Sequence, residues 1–318
     1  MKMYKIIFTS QSVINELPNS QTIFGALCTI LLQTQNEEIF KEYIESFKEQ
    51  PKFIHSSMFL NGTLPMVKQS LFSLDDVNEM VSVSASSEKL KILESTKKYK
   101  KISYMSEKIY DTYISENQLD ILKKDLLKNP DQFSLTNNIL SFKDETLLTE
   151  VSSIIQTRNG FPEKGMDKTL FYTPIIYYPK DTEFCVFIKT NESEDYLKDI
   201  FKYLQYFGIG NRRTVGMNCF RFERIEEVNF KSSQNKLLLS RYIPNLDEVE
   251  LSQSFYHLSS DIYRSSKEYV GGFVNGKFIH ILEGSWMNAL EDKEYYGKVI
   301  ETEVNGKVVH HYAIGFMV

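Results

Sequence analysis

The chain has 318 residues, 42% of them hydrophobic and 25% charged, an ordinary balance for a soluble globular protein with room for two domains. A formal net charge of −5 excludes a protein that coats nucleic acid through bulk electrostatics, while leaving a local basic groove open. Cys28, Cys185 and Cys219 are few, odd in number and widely separated, so they indicate neither a disulfide framework nor a zinc site and read as small buried hydrophobes.

Residues 1–8 are too short an apolar run for a signal-peptide core, and no later window approaches a membrane span, so the expected location is the cytoplasm. Residues 4–9 read as a first strand. Pro18-Asn19-Ser20-Gln21 offers an N-cap for an apolar helix over 22–32, whose amino end is a place for a phosphate. A helix over 37–48 follows, then a strand over 53–60 ending in the turn Asn61-Gly62. Residues 64–101 carry no clear period. A short strand over 102–105 and helices over 106–114 and 116–128 come next. Residues 147–157 and 169–178 read as arms of a long hairpin whose tip, Arg158 to Lys168, is polar and glycine-bearing. A strand over 183–189 precedes a helix over 192–206 and an alternating strand over 219–225. Strands are expected over 236–243, 269–274, 277–282, 299–304 and 312–316, with hairpin turns at Asn275-Gly276 and Asn305-Gly306.

Residues 1–226 thus give strand, helix, strand, insertion, strand, helix, strand. That order is α+β and ferredoxin-like (RRM-like), with a smaller strand-rich domain over 227–318.

The most informative stretch is Phe207-Gly208-Ile209-Gly210-Asn211-Arg212-Arg213-Thr214-Val215-Gly216, which gathers three of only 14 glycines with two arginines. Glycines let the backbone turn sharply and approach a ligand, and guanidinium groups match phosphate. The spacing fits neither the dinucleotide fingerprint nor a P-loop, because Met217 stands where the P-loop lysine belongs. Other basic runs are Lys97-Lys98-Tyr99-Lys100-Lys101 and Lys123-Lys124, the latter a solvated helix face. Twenty-two Phe and 19 Tyr against one Trp supply rings for base stacking or for a core. No zinc-protease, nucleophile-elbow or metal-spaced Cys/His motif occurs. Among five histidines, His55 beside Ser56 and Ser57 is the best general acid or base, set against a buried strand residue. His310-His311 alternate across a strand and do not make one site.

Several segments together resemble the RAMP proteins of type III CRISPR systems, and among them the family of guide-capping subunits of the type III-A Csm complex, the fourth Csm protein. They are Asn19-Ser20-Gln21-Thr22-Ile23-Phe24-Gly25-Ala26-Leu27, Phe53-Ile54-His55-Ser56-Ser57-Met58-Phe59 with Leu64-Pro65, and Lys100-Lys101-Ile102. Arg158-Asn159 leading to Thr169-Leu170-Phe171-Tyr172, the glycine loop, and Tyr312-Ala313-Ile314-Gly315-Phe316 complete the series, in family order. Asn19, Gln21 and Met217-Asn218 depart from the commoner residues.

The resemblance implies a non-catalytic RNA-binding subunit with no cofactor and no metal. It would hold the single-stranded 5′ handle of the crRNA on Asn19, Ser20, Thr22, Gly25, Ser56, Ser57, Arg158, Asn159, Gly208, Gly210, Asn211, Arg212, Arg213 and Gly216. It also implies a thumb at the hairpin, docking to the large polymerase-like subunit and to the neighbouring backbone RAMP subunit, and a position near target RNA. The alternative is a metal-independent RAMP endoribonuclease that processes CRISPR precursor, with His55 as acid or base and Arg158 or Arg212 stabilising the transition state.

Overall fold

The structure, a computed structural model, describes residues 1–34, 36–72, 77–78, 86–147, 151–159, 170–210, 212–231, 235–264 and 274–318. The chain forms two compact units, Met1–Asn61 with Leu148–Val228 and Gly62–Leu147 with Asn229–Val318. From the sequence, a single boundary is expected at 226/227, with 62–147 kept in the first domain; in the folded chain 62–147 groups instead with the C-terminal segment.

In the first unit, β1 (Lys2–Ser10), α1 (Ser20–Thr34), α2 (Glu37–Glu49) and β2 (Phe53–Leu60) come first. After residue 148 follow β3 (Ser152–Asn159), β4 (Leu170–Tyr177), β5 (Glu183–Thr190), α3 (Glu194–Phe207) and β6 (Phe220–Glu227). The main sheet has the order β6-β1-β5-β2 with every pair antiparallel, the split arrangement of a ferredoxin-like βαββαβ unit. Ile6, Ile7 and Phe8 are all fully buried, so β1 is covered on both faces and reads as an apolar run. The edge strand β6 alternates Phe220 inward with Arg221 and Arg224 outward.

Helix α3 is set by its ends and its stripe. Ser193 accepts the Tyr196 amide at 3.2 Å, Glu194 and Asp195 sit in the first turn, and Leu197, Ile200, Phe201 and Leu204 are buried. Gly208 ends it at φ +67, its N–H donating to the Leu204 carbonyl at 3.1 Å. Asn36 caps α2 by accepting the Ile39 amide at 2.8 Å. Tyr43 then packs against Phe24, Phe47 and Phe53 with ring centroids 5.1–6.2 Å apart. Many of the abundant aromatics are therefore core, including these four.

Between β2 and β5 the register slips at His55/Met58, so Ser56 and Ser57 together oppose Phe187. A bulge leaves ladder groups unpaired, and here hydroxyl oxygens replace them. Ser56 Oγ accepts the Phe187 amide at 2.9 Å, and Ser57 Oγ accepts the Ser20 amide at 2.9 Å. The Met58 amide donates to the Pro18 carbonyl at 2.9 Å. Strand β2 thereby fixes the start of α1.

Strands β3 and β4 form the expected hairpin outside the main sheet, in register from Ser152↔Tyr177 to Asn159↔Leu170. Its connection, 160–169, lies outside the described residues.

In the second unit, strands Thr63–Pro65, Tyr104–Ser106, Ile139–Phe142 and Phe133–Thr136 form a sheet in that spatial order. The unplaced stretch 64–101 ends in a helix, Ser86–Tyr99. The C-terminal part is strand-rich, as expected, with pairs Asn235–Leu237 with Trp286–Asn288, Leu258–Arg264 with Val274–Ile281, and Val299–Val304 with Lys307–Tyr312. Asn305-Gly306 closes the last pair as a two-residue turn, with φ +52 and +71. Asn275-Gly276 is no hairpin turn. It lies inside Val274–Ile281 opposite a register shift at Tyr263/Arg264, where Gly276 at φ +136 takes up the irregularity. The strand expected over 269–274 falls, but for Val274, outside the described residues. Residues 313–318 continue past the last strand only as isolated bridges, Gly315 to Tyr296 and Met317 to Leu238.

His311 and His280 are both buried, their Nε2 atoms 2.8 Å apart, and the Phe278 ring stacks on His311 at 3.9 Å. Arg241, which pairs with Asp261 and approaches Glu283, completes the surroundings of His280 together with Asp261. Burial lowers His280 to about 4, with Asp261 opposing and Arg241 adding to the shift. Burial and then the neighbouring His280 lower His311 to about 3. Both folded values lie below the ordinary 6.5, so the unfolded chain binds more protons in between. Stability is then complete above about pH 6.5 and is lost as the pH falls toward 4.

Two outcomes are expected. Calorimetric Tm should fall steadily between about pH 6.5 and pH 4.5, and less steeply in His311→Gln; equal slopes would remove the pair as the cause. Gly25 is exposed in the interior of α1, with no atom within 4 Å of a Cβ built there. Gly25→Ala should therefore stabilise the fold by about 1 kcal/mol. That corresponds to a rise in Tm of about 2–4 °C, read from the same scans, and a fall would show that the position is crowded.

Candidate nucleic-acid interface

Three segments distant in sequence meet at one side of the first unit. At the start of α1, Asn19 Oδ1 accepts the Thr22 amide at 3.0 Å and the Thr22 hydroxyl at 3.1 Å. The Ser20 amide goes to Ser57, and the Ile23 amide to the Asn19 carbonyl at 3.0 Å. The amides of Ser20, Thr22 and Ile23, expected to face a phosphate, are thus capped within the chain. What α1 offers instead is a first turn without acidic residues and, one turn on, the open surface at Gly25. No packing requires glycine there, although it costs helix stability, which fits a position where a ligand backbone comes close.

The glycine loop reaches this helix directly. Gly210 has φ +92, and a Cβ on it would stand 2.8 Å from Thr22 Cγ2, so only glycine fits between loop and helix. Arg212 adopts the left-handed conformation at φ +60 and opens a short 3₁₀ turn, Arg213–Val215, that Gly216 closes at φ +78. The amides of Val215 and Met217 both donate to the Arg212 carbonyl, at 3.0 and 3.2 Å, which makes the turn compact.

The hairpin supplies the third side. The Arg212 guanidinium lies over the Phe171 ring at 4.7 Å, a cation–π contact that holds it in place. Arg158 is the cross-strand partner of Phe171, so their side chains share a face, and its Nε donates to Gln156 Oε1 at 3.0 Å. Among the described residues, Arg224 pairs with Glu183 and Glu226, Arg221 with Glu223, and Arg241 with Asp261. Arg158 and Arg212 instead contact neutral groups, leaving their charge for an anion.

Of the residues expected here from the sequence, the fold brings together Asn19, Thr22, Gly210, Arg212 and Arg158. Gly208 and Gly216 bracket the loop, Arg213 lies within it, and Gly25 stands open on α1. The backbone of Asn159 pairs with Leu170 at the far end of the hairpin, and Asn211 lies outside the described residues. Ser20, Ser56 and Ser57 are corrected: all three are buried, and the two serine hydroxyls on β2 serve the bulge and the helix start. His55 is also fully buried, its Nδ1 3.1 Å from the Ser56 carbonyl, and burial lowers it to about 4. A neutral embedded ring of this kind is a strand residue and offers no general acid to a ligand at the surface.

Sequence reasoning missed two residues. Phe171 falls in a segment that carries the family resemblance but is given no role from sequence, although Arg212 rests on it. Asn218, buried at φ +53, exchanges side-chain bonds with Asn15, donating to Oδ1 at 2.7 Å and accepting the Asn15 amide at 3.0 Å. Its own amide donates to the Val13 carbonyl at 3.1 Å, and its carbonyl accepts from Ile209 at 2.9 Å. An Asn directly after a glycine loop is the available signal, since Asn tolerates the left-handed region better than other side chains. Among the described residues, no group of three or more His, Cys, Asp or Glu could hold a metal ion. Among them, too, no helix is long and apolar enough to cross a membrane.

Comparison with known proteins bears on the fold that carries this surface. A chain from the Csm3–Csm4 subcomplex of the type III-A CRISPR-Cas interference complex is similar over 100% of this chain and 98% of its own, at 17% identity and a TM-score of 0.65. A chain from a Csm1–Csm4 cassette in complex with cA4 is similar over 99% and 97%, at 13% identity and a TM-score of 0.58. The cassette with AMPPNP gives 100% and 97%, at 14% identity and a TM-score of 0.58. At such identities the likeness is one of fold. No curated protein matches the sequence. The family description "RAMP superfamily" matches residues 19–217, from the cap of α1 through the hairpin to the end of the glycine loop. With that match covering more than half of the chain and all three segments of the surface, the chain belongs to the RAMP superfamily.

Proposed function

We propose that this chain is the guide-capping subunit of a type III-A CRISPR effector complex, a non-catalytic protein that binds the single-stranded 5′ handle of the crRNA. The observation that carries the reading is the convergence of α1, the glycine loop and the hairpin, with Gly210 against Thr22 and Arg212 over Phe171. Unpaired RNA is held by phosphate-binding cations, close backbone approach and exposed rings. This surface supplies Arg158 and Arg212, the open Gly25, and the Phe171 ring beneath Arg212. The whole-length likeness to chains from Csm3–Csm4 and Csm1–Csm4 assemblies supports docking to a backbone RAMP subunit and to a large polymerase-like subunit. Cytoplasmic location follows from the same assignment.

The endoribonuclease reading assigns acid–base work to His55, and that ring is buried. CRISPR precursor incubated with the purified chain should stay intact, and His55→Ala should make no difference. Cutting by the natural chain that His55→Ala abolishes would reverse the assignment.

Replacing Arg212 and Arg213 together by Ala should weaken binding of handle-bearing RNA. The slope of log K against log salt should fall by about 1.4, the value for two lost phosphate contacts on a single strand. Filter binding over a salt series measures both, and an unchanged slope would detach the loop from the RNA. Gly25→Ala should lower the same affinity while raising Tm; affinity equal to that of the natural chain would leave Gly25 without a ligand role.

A further inference from the structure

The basic run Lys97-Lys98-Tyr99-Lys100-Lys101 takes no part in the surface above and belongs to the second unit. It spans the carboxyl end of the helix Ser86–Tyr99 and the turn that follows. Tyr99 at its centre is buried, its ring stacked on Phe72 with centroids 6.1 Å apart and its hydroxyl donating to the Leu126 carbonyl at 2.8 Å. Leu126 lies in the last turn of another helix, Leu119–Lys128, so this bond brings two helix carboxyl ends together. The main chain beyond is fixed as well: the Lys101 amide donates to the Lys98 carbonyl at 3.2 Å, and the Ser103 amide to the Asn138 carbonyl at 2.9 Å. An anchored tyrosine thus holds Lys97, Lys98, Lys100 and Lys101 about itself, all four exposed, with the exposed Lys128 ending the neighbouring helix.

Lysines at a helix carboxyl end offset its dipole, but that is roughly half a negative charge per helix, less than these lysines carry. In the same unit Lys108, Lys123 and Lys236 are paired with Asp144, Asp120 and Asp292. Among the described residues, Lys97, Lys98, Lys100, Lys101 and Lys128 have no such carboxylate. They outnumber the acids nearby in sequence, Glu94, Asp131 and Asp125, the last of which accepts from the Tyr113 hydroxyl at 2.9 Å. The exposed Leu90 and Leu93 lie further back along the helix, outside the run.

The junction offers lysine without arginine and without an exposed ring. Lysine is depleted where two proteins meet, and it approaches phosphate as a point charge on a flexible stem, with no fixed geometry to read a base. Such chemistry suits a phosphodiester backbone. We propose that this junction is a second polyanion site, which holds the backbone of a nucleic-acid strand other than the handle, whatever its base sequence. It belongs to the second unit and the handle surface to the first, so either assignment can fail alone.

Oligouridylate and oligothymidylate of about twenty nucleotides, neither carrying the handle, test it by filter binding over a salt series. Lys97→Gln, Lys98→Gln, Lys100→Gln and Lys101→Gln together should lower the slope of log K against log salt by about 2.8 for both strands, at about 0.7 per lost contact. Arg at the same four positions should keep the natural slope. The Gln protein should still bind RNA made of the handle alone as the natural chain does. An unchanged slope in the Gln protein, or a natural chain that binds neither homopolymer, would overturn the site. So would equal weakening toward the handle alone, which would make the lysines part of that surface. Binding of oligouridylate without oligothymidylate would refute recognition through the backbone, and poly-glutamate bound as tightly as either strand would give the junction to an acidic protein instead.

Discussion

The two-residue bulge at Ser56-Ser57 is the constraint from which the rest of the first unit follows. A strand that inserts an extra residue must satisfy a stranded amide on its neighbour, and Ser56 Oγ does so for Phe187. The second hydroxyl turns the irregularity into an anchor by accepting the Ser20 amide, while Met58 bonds the Pro18 carbonyl. These buried bonds fix where α1 begins. Thr22 then stands where Gly210 must pass, and that contact sets the height of the loop above the helix. Leaving either hydroxyl out would leave a buried amide without its bond, a loss of about 1–3 kcal/mol at each place.

Electrostatics at the surface follow from neighbours more than from residue type. Arg221 and Arg224 on β6 are tied to carboxylates, and in a chain of net charge −5 such pairing is the common fate of an arginine. Arg212 lies over a ring and Arg158 against an amide. The ring restricts the guanidinium without cancelling its charge, so less side-chain freedom remains to be lost when an anion arrives. A phosphate-binding surface can thus exist on an acidic protein.

Much of this was legible in the sequence, and the reasons for the remainder are specific. The βαββαβ order could be read because β1 and β2 are apolar runs, α3 carries a 3.6-residue stripe with a Ser cap and a Gly stop, and the glycine loop is conspicuous in a glycine-poor chain. Ser56 and Ser57 were misjudged because small hydroxyl residues look the same whether they face a ligand or mend a bulge; only the pairing register tells them apart. Asn275-Gly276 carried a turn signal, yet glycine serves a strand irregularity equally well. The grouping of 62–147 with the C-terminal segment had no local mark at all, since it depends on residues far apart in sequence coming together.

That grouping bears on how the protein is made. Because each compact unit is assembled from two separated stretches, the ribosome delivers a piece of the first unit, a piece of the second, the remainder of the first and then the remainder of the second. The first unit has all its strands once residue 228 has been synthesised, whereas 62–147 must then wait for 229–318. At usual elongation rates that wait is on the order of ten seconds, during which Tyr110 lacks the Phe230 ring it later packs against and the Lys68 amide lacks the Gly284 carbonyl it later bonds. Such an interval is long beside the closure of local helices and hairpins, so residues 62–147 spend it with their local structure formed and their distant partners not yet made.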